Sequence, residues 1–200
     1  MYRIITIERE YASGGSEIGK RLAKELDCKL YDRNILVMAA ARLEIPPAYM
    51  ENLEETGPGS ILFNLSRTVL GGSGRKEENT PLAERLFLAE KDIVEEIVQS
   101  DRCIIIGRAA GYLLREHEDC LRVFIHADRE NRIKRAIERE GCKPEEAEAV
   151  LKKNDKRRRS FYEYHTSLTW GNREDFDLCL NSSRLGIEKC VSLLRDAAQN

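Results

Sequence analysis

The sequence lacks a net charge of consequence: 33 Lys and Arg stand against 35 Asp and Glu, leaving −2 over 200 residues. No global field draws such a chain to nucleic acid or to an anionic membrane, so any anion site has to be built locally. Long apolar runs are missing as well. Residues 35–41 and 103–106 are the longest, far below the ~20 needed to span a bilayer, and a soluble protein is expected. The opening apolar stretch, residues 4–7, is too short for a signal peptide and Glu8-Arg9-Glu10 follows at once, so a cytoplasmic location is expected. The six cysteines, Cys28, Cys103, Cys120, Cys142, Cys179 and Cys190, contain no Cys-x-x-Cys pair and read as reduced, mostly buried thiols. His117, His126 and His165 have no metal-ligand spacing, which excludes a zinc site from the expectations. There is no internal repeat and no low-complexity tract. The length is that of one ordinary domain.

What is present is an alternation. Residues 3–8, 102–107 and 121–127 are short β-rich apolar runs, each followed by a helical pattern, and a weaker strand over 176–181 precedes a last helix from 185 to about 198. Helices are expected over 16–26, 82–100 and 129–141, the first through Ile18, Leu22, Ala23 and Leu26. Strand then helix, repeated, predicts an α/β fold with a parallel sheet of four or five strands. Two segments break the pattern. Residues 54–76, with Gly57-Pro58-Gly59 and Gly71-Gly72-Ser73-Gly74, predict an exposed, mobile excursion. Residues 143–159 predict a helix crowded with Lys152, Lys153, Lys156, Arg157, Arg158 and Arg159, which repel one another unless an anion binds there. The long helix at 82–100 and an exposed aromatic run at 161–164 would suit a homodimer contact.

The first strand runs into Arg9-Glu10-Tyr11-Ala12-Ser13-Gly14-Gly15-Ser16-Glu17, a small-residue turn that opens a helix. Glycines let backbone N–H groups approach an anion, and a helix N-terminus adds unpaired donors and a favourable dipole, so this is a phosphate cradle. Ser16 would offer its hydroxyl to magnesium. The usual G-x-x-x-x-G-K-[ST] loop is absent: Gly15 stands where the lysine would be, and Lys20 lies a turn too far into the helix. A tight β–α turn packed through its glycines is the alternative. Arg108 ends a buried strand at the carboxyl edge, where ligands bind in open α/β sheets; pairing with Asp32 or Glu8 would instead make it structural. Arg132, Arg135 and Arg139 share one helix face. With Asp155 to Arg159 they make either a phosphate clamp or a solvated face laced with glutamates.

The order of these pieces resembles the cytidylate kinase-like family of P-loop nucleoside monophosphate kinases, in particular a branch whose loop reads like Arg-Glu-Tyr-Ala-Ser-Gly-Gly. The resemblance runs nearly end to end. It rests on Arg9–Ser16 with Ile18-Gly19-Lys20-Arg21-Leu22-Ala23, Leu30-Tyr31-Asp32-Arg33, Gly107-Arg108, Phe124-Ile125-His126-Ala127 with Arg132 and Arg135, Asp155-x-x-Arg158, and Asp177-Leu178-Cys179-Leu180-Asn181. It implies a P-loop NTPase-like three-layer sandwich: a core of residues 1–33, 91–131 and 160–200, a helical monophosphate-binding insertion at about 34–90, and an Arg-rich lid at about 132–159. It further implies ATP and Mg2+ as cofactors and a CMP-like acceptor. Ser13, Gly14, Gly15, Ser16 and Glu17 would then hold the ATP phosphates, with magnesium bridged through Ser16. Arg108, Asp32, Arg33, Asp155 and Arg158 would serve the acceptor, and Arg132 and Arg135 the transfer. Two departures stand out. Ala109 occupies the place of a base-reading aspartate, and Arg33 and Met38 replace a serine and an arginine, so the acceptor base is left open. Arg9 is the candidate substitute for the missing lysine. Kinases of a non-nucleotide metabolite and a non-catalytic nucleotide sensor remain as rival readings.

Overall fold

A computed structural model describes residues 1–46 and 80–199. The expected excursion at 54–76 lies outside the described residues. Strands β1 (Ile4–Arg9), β2 (Lys29–Tyr31), β3 (Cys103–Ile106), β4 (Cys120–His126) and β5 (Leu178–Asn181) form one sheet in the order β2-β3-β1-β4-β5. Every neighbouring pair is parallel, with Ile5 opposite both Ile104 and Leu121. Between and after the strands come helices α1 (Gly15–Glu25), α2 (Asn34–Arg42), α3 (Leu82–Ser100), α4 (Ala110–Leu113), α5 (Arg129–Glu140), α6 (Ala147–Thr166), α7 (Ser182–Leu185) and α8 (Ile187–Gln199). The all-parallel sheet with helices from alternating crossovers is the P-loop kinase architecture expected from the sequence.

The central strands are continuous apolar runs because both faces are covered. On one face Ile5, Ile7, Ile104, Ile106, Val123 and Ile125 pack with Ile18 and Leu22 of α1 and Val191 and Leu194 of α8. Strand alternation turns Thr6 and Glu8 to the other face, where Gly111 of α4 comes so near that a Cβ there would lie 3.0 Å from the Thr6 hydroxyl. The chain divides into two compact units, Met1–Asp32 with Ile97–Asn200, and Arg33–Glu96. Within the second, Ile35, Leu36, Ala39 and Ala40 of α2 and Leu86, Ala89, Ile93 and Val94 of α3 are buried, and Arg42 pairs with Glu96 through two bonds of 2.9 and 2.7 Å.

Three expectations change. The helix expected over 143–159 begins at Ala147 and continues to Thr166, because Leu151, Tyr162 and Thr166 extend one buried face past the basic run. The aromatic run after it is not exposed as expected: Tyr162 is buried, and Phe161 is covered by a guanidinium, leaving Tyr164 as the exposed ring. Cysteines are free, but only Cys103, Cys120 and Cys190 are buried, while Cys179 is exposed. Burial pushes the Cys103 and Cys120 thiols up to about 12, which makes them inert. No helix among the described residues is long and apolar enough to cross a membrane.

Candidate functional site

The site forms where β1, β3 and β4 end. After Arg9 the chain turns through Ala12, left-handed at φ 56°, and Gly14, left-handed at φ 84°, into α1. Gly14 caps the helix with its carbonyl, which accepts from Ile18 N at 2.9 Å, and no side chain caps it. The N–H groups of Gly14, Gly15, Ser16 and Glu17 therefore meet no acceptor among the described residues. Space explains both glycines. A Cβ on Gly14 would lie 2.5 Å from Ile187 Cδ1, and one on Gly15 would lie 2.6 Å from Arg9 Cβ.

The turn is braced from several elements. The Ser13 hydroxyl donates to the Glu10 carbonyl at 2.9 Å, and the Ser182 hydroxyl lies 2.6 Å from the Ser13 carbonyl. Arg132 Nε donates to the Tyr11 carbonyl at 2.8 Å, and Asp155 accepts the Tyr11 N–H at 2.8 Å. Arg132 also pairs with Asp155 and, at 3.3 Å, with Glu10, whose carboxylate in turn accepts the Ala127 N–H at 3.0 Å. Arg135 lies against Gly14, its Nη2 on Glu17, while its Nε is buried with no partner among the described residues. The Arg135 bond holds the Glu17 carboxyl below the usual carboxylate range.

Arg9 lies in a slot between two glycines. Its Cβ packs on Gly15, and its guanidinium lies over Gly107, where a Cβ would meet Nη1 at 2.1 Å. Nη2 reaches Asp32 at 3.4 Å, and Nε is buried without a partner among the described residues. Arg158 donates to the Arg9 carbonyl at 3.0 Å and lies over the Tyr11 ring. Desolvation, with the Arg9 charge adding to it, pushes Arg158 down to about 9. It stays cationic at neutral pH under electrostatic stress that an incoming anion would relieve.

Beneath lies Glu8, 5 % exposed. Burial raises its pKa, against the pull of Arg9 and Arg158, and it accepts the Ala109 N–H at 3.1 Å. That bond fixes the turn after β3, where Gly107, Arg108 and Ala109 are successively left-handed at φ 74°, 60° and 53°. Two non-glycine residues in that region store strain that the surroundings must hold. Arg108 thereby reaches α6, its guanidinium 4.4 Å above the Phe161 ring. The His165 ring lies 4.6 Å from the same ring, tilted by 60°, and burial together with the Arg108 charge pushes it down to about 4, so it is neutral at pH 7.

The structure thus gathers Arg9, Ser13, Gly14, Gly15, Ser16, Glu17, Asp32, Arg132, Arg135, Asp155 and Arg158 around one loop, with Arg108 on the adjoining strand end. Arg33 belongs to the second unit, where it precedes α2 and is exposed. Glu8, Glu10, Tyr11, Phe161 and Ser182 were not among the expected site residues. Glu8 had a signal, as a charged residue at an inward position of a buried strand; Tyr11 contributes its backbone, which no side-chain pattern reveals.

Comparison with known proteins bears on the whole chain. A crystal structure of an uncharacterized protein from Eubacterium ventriosum superposes with a TM-score of 0.71 at 19 % identity, covering 98 % of each chain. Shikimate kinase from Bacteroides thetaiotaomicron gives 0.55 at 14 % identity over 98 % of each chain, and TT1252 from Thermus thermophilus gives 0.54 at 16 % over 98 % of this chain and 95 % of that one. At these identities the likeness is one of fold. No curated protein sequence matches the chain. The model of the cytidylate kinase-like family, however, matches residues 4–184, nearly the full run of strands, braced loop and arginines just described, and the chain belongs to that family.

Proposed function

We propose that the protein transfers a phosphoryl group from MgATP to a small phosphorylated acceptor of the nucleoside monophosphate kind, CMP-like in size and charge. The observation that supports this best is the array of unclaimed N–H groups at Gly14–Glu17 beside two arginines, Arg9 and Arg135, each with a buried, unpartnered Nε. Such an array fits a polyphosphate: the N–H groups line the oxygens, and the guanidiniums supply the charge that Gly15 cannot. Bound MgATP would bring the transferable phosphoryl group and a counter-ion. The phosphates would carry the ion, with the Ser16 hydroxyl as a protein ligand.

The chain's own residues then divide the work. Arg9 is held rigid by its slot and by Asp32, and its planar fork tracks charge on the moving phosphoryl; Arg158, already destabilised as a cation, gains most from that charge. Arg108, aimed by the strained turn and bedded on Phe161, grips the acceptor. A second reading is favoured by Asp32: a carboxylate at the acceptor edge repels a phosphate and suits a hydroxyl, so a hydroxyl-bearing metabolite is the competing acceptor. A panel of nucleoside monophosphates and hydroxylated anions, assayed with MgATP for ADP release against an acceptor-free blank, separates the two. Stimulation by CMP or a related monophosphate supports the first reading; stimulation by hydroxylated compounds alone supports the second. MgATP binding without acceptor-dependent ADP release, unchanged in Arg9→Lys, would instead make the protein a nucleotide sensor.

A further inference from the structure

We propose that Arg132 and Asp155 are positioning residues: they clamp the backbone of Tyr11 and thereby fix the phosphate loop from the α5–α6 pair. The inference rests on the phosphate-binding reading of the loop but assigns these two residues a place outside the ligand shell. Arg132 is 7 % exposed, and its donors are spoken for, Nε by the Tyr11 carbonyl, Nη1 by Glu10 and Nη2 by Asp155. Its surroundings are also wrong for a phosphate. Held between two carboxylates, its charge is already paired, whereas Arg9 and Arg135 each retain a buried nitrogen without a partner among the described residues.

Asp155 completes the grip. One oxygen accepts the Tyr11 N–H and the other pairs with Arg132, so both backbone polar groups of Tyr11 are bound to the helix pair. The next residue, Ala12, is the left-handed one, and its side chain joins a small separate core with Ala136 of α5 and Leu151 of α6, flanked by Tyr11, Ile133 and Cys142. A polar clamp and an apolar one therefore act on adjacent residues of the loop. The non-glycine strain at Ala12 persists because both hold it. It follows that the helix pair is fastened to the loop at Arg132 and Asp155.

Hydrogen exchange on the full chain, read by mass spectrometry over peptides covering residues 8–17, tests this without requiring turnover. Asp155→Ala and Arg132→Met should each speed exchange there by about tenfold, the loss of one buried charge-assisted hydrogen bond. The double variant should be little worse than either single one, because the two act as a unit. Asp155→Asn keeps an acceptor for the Tyr11 N–H but turns an NH2 towards Arg132, so it should restore only part of the protection; Arg132→Lys cannot reproduce the fork and should restore none. Titration with MgATP should show affinity falling in step with loop protection. Unchanged exchange in both single variants overturns the clamp, and if MgATP affinity nevertheless collapses, Arg132 is a direct ligand. A wild-type protein that bound no MgATP would remove the kinase reading alone, since the exchange comparison would still decide the clamp.

Discussion

The two edges of the sheet use the same residue types in opposite ways. At the amino edge three cations each meet a carboxylate: Arg3 meets Asp119 at 3.0 Å, Lys29 meets Asp101 at 2.8 Å and Arg122 meets Asp177 at 2.8 Å. At the carboxyl edge Arg9 and Arg158 crowd each other above the buried Glu8, and five residues at the strand ends, Ala12, Gly14, Gly107, Arg108 and Ala109, are left-handed. Unlike charges dominate the contacts at one edge, whereas two like charges stand close together at the other. Strain and like-charge proximity distinguish the carboxyl edge, where the proposed site lies, more clearly than residue composition does, since arginines occur at both.

The largest effect should come from removing the buried acid. Glu8→Leu removes a buried negative charge near Arg9 and Arg158, leaving them Asp32 and Asp155, and unties the Arg108 turn, and urea unfolding at pH 7 should register a loss of about 3–5 kcal/mol. A change under about 1 kcal/mol would show the two edges to be equivalent. Arg108→Ala should come next, lowering kcat/KM by about 2–4 kcal/mol in free-energy terms while stability moves little. If it unfolds the protein instead, Arg108 belongs with the structural pairs of the amino edge. Gly15→Lys, which formally restores the loop lysine, should gain no turnover and lose about 1–3 kcal/mol of stability, because the new Cβ collides with Arg9.

A pH experiment sharpens the comparison further. His165 has its folded pKa pushed from 6.5 to about 4, so between those values the unfolded chain binds a proton that the folded chain refuses. Stability should accordingly fall as the pH drops from 6.5 towards 4, and His165→Phe should flatten that part of the urea-midpoint profile. An unchanged slope would remove His165 as its source. The smallest effect belongs to the amino edge: Arg3→Ala breaks a solvent-exposed pair and should shift stability by about 0–1 kcal/mol with turnover unaltered.

Much of this was legible beforehand, for physical reasons that differ by element. β1, β3 and β4 announce themselves because burial on both faces demands unbroken apolar runs; β2 has three residues and no such run. Helix α3 was readable to its ends from its period alone. The loop was visible through its paired glycines, and Arg9 through the missing lysine. The clamp on Tyr11 was not, because the groups it binds are a peptide N–H and C=O that every residue carries. The sequence offers Glu8 only as a partner for Arg108, whereas its carboxylate accepts the neighbouring Ala109 N–H.

The glycine slot around Arg9 makes positions 9, 15 and 107 a single heritable unit. With arginine at 9, a side chain at 15 would meet its Cβ at 2.6 Å and one at 107 would meet its guanidinium at 2.1 Å. A relative that regains a lysine at 15 must therefore carry glycine at 9, because the clash is with a Cβ that any other residue would bring, and in doing so it frees 107 from its steric bar, leaving only the φ of 74° to favour glycine there. Intermediates carrying one change without the other should be poorly populated among descendants, so the passage between an arginine-type and a lysine-type phosphate loop is expected to occur by paired replacement, and co-variation between positions 9 and 15 is where it would be seen.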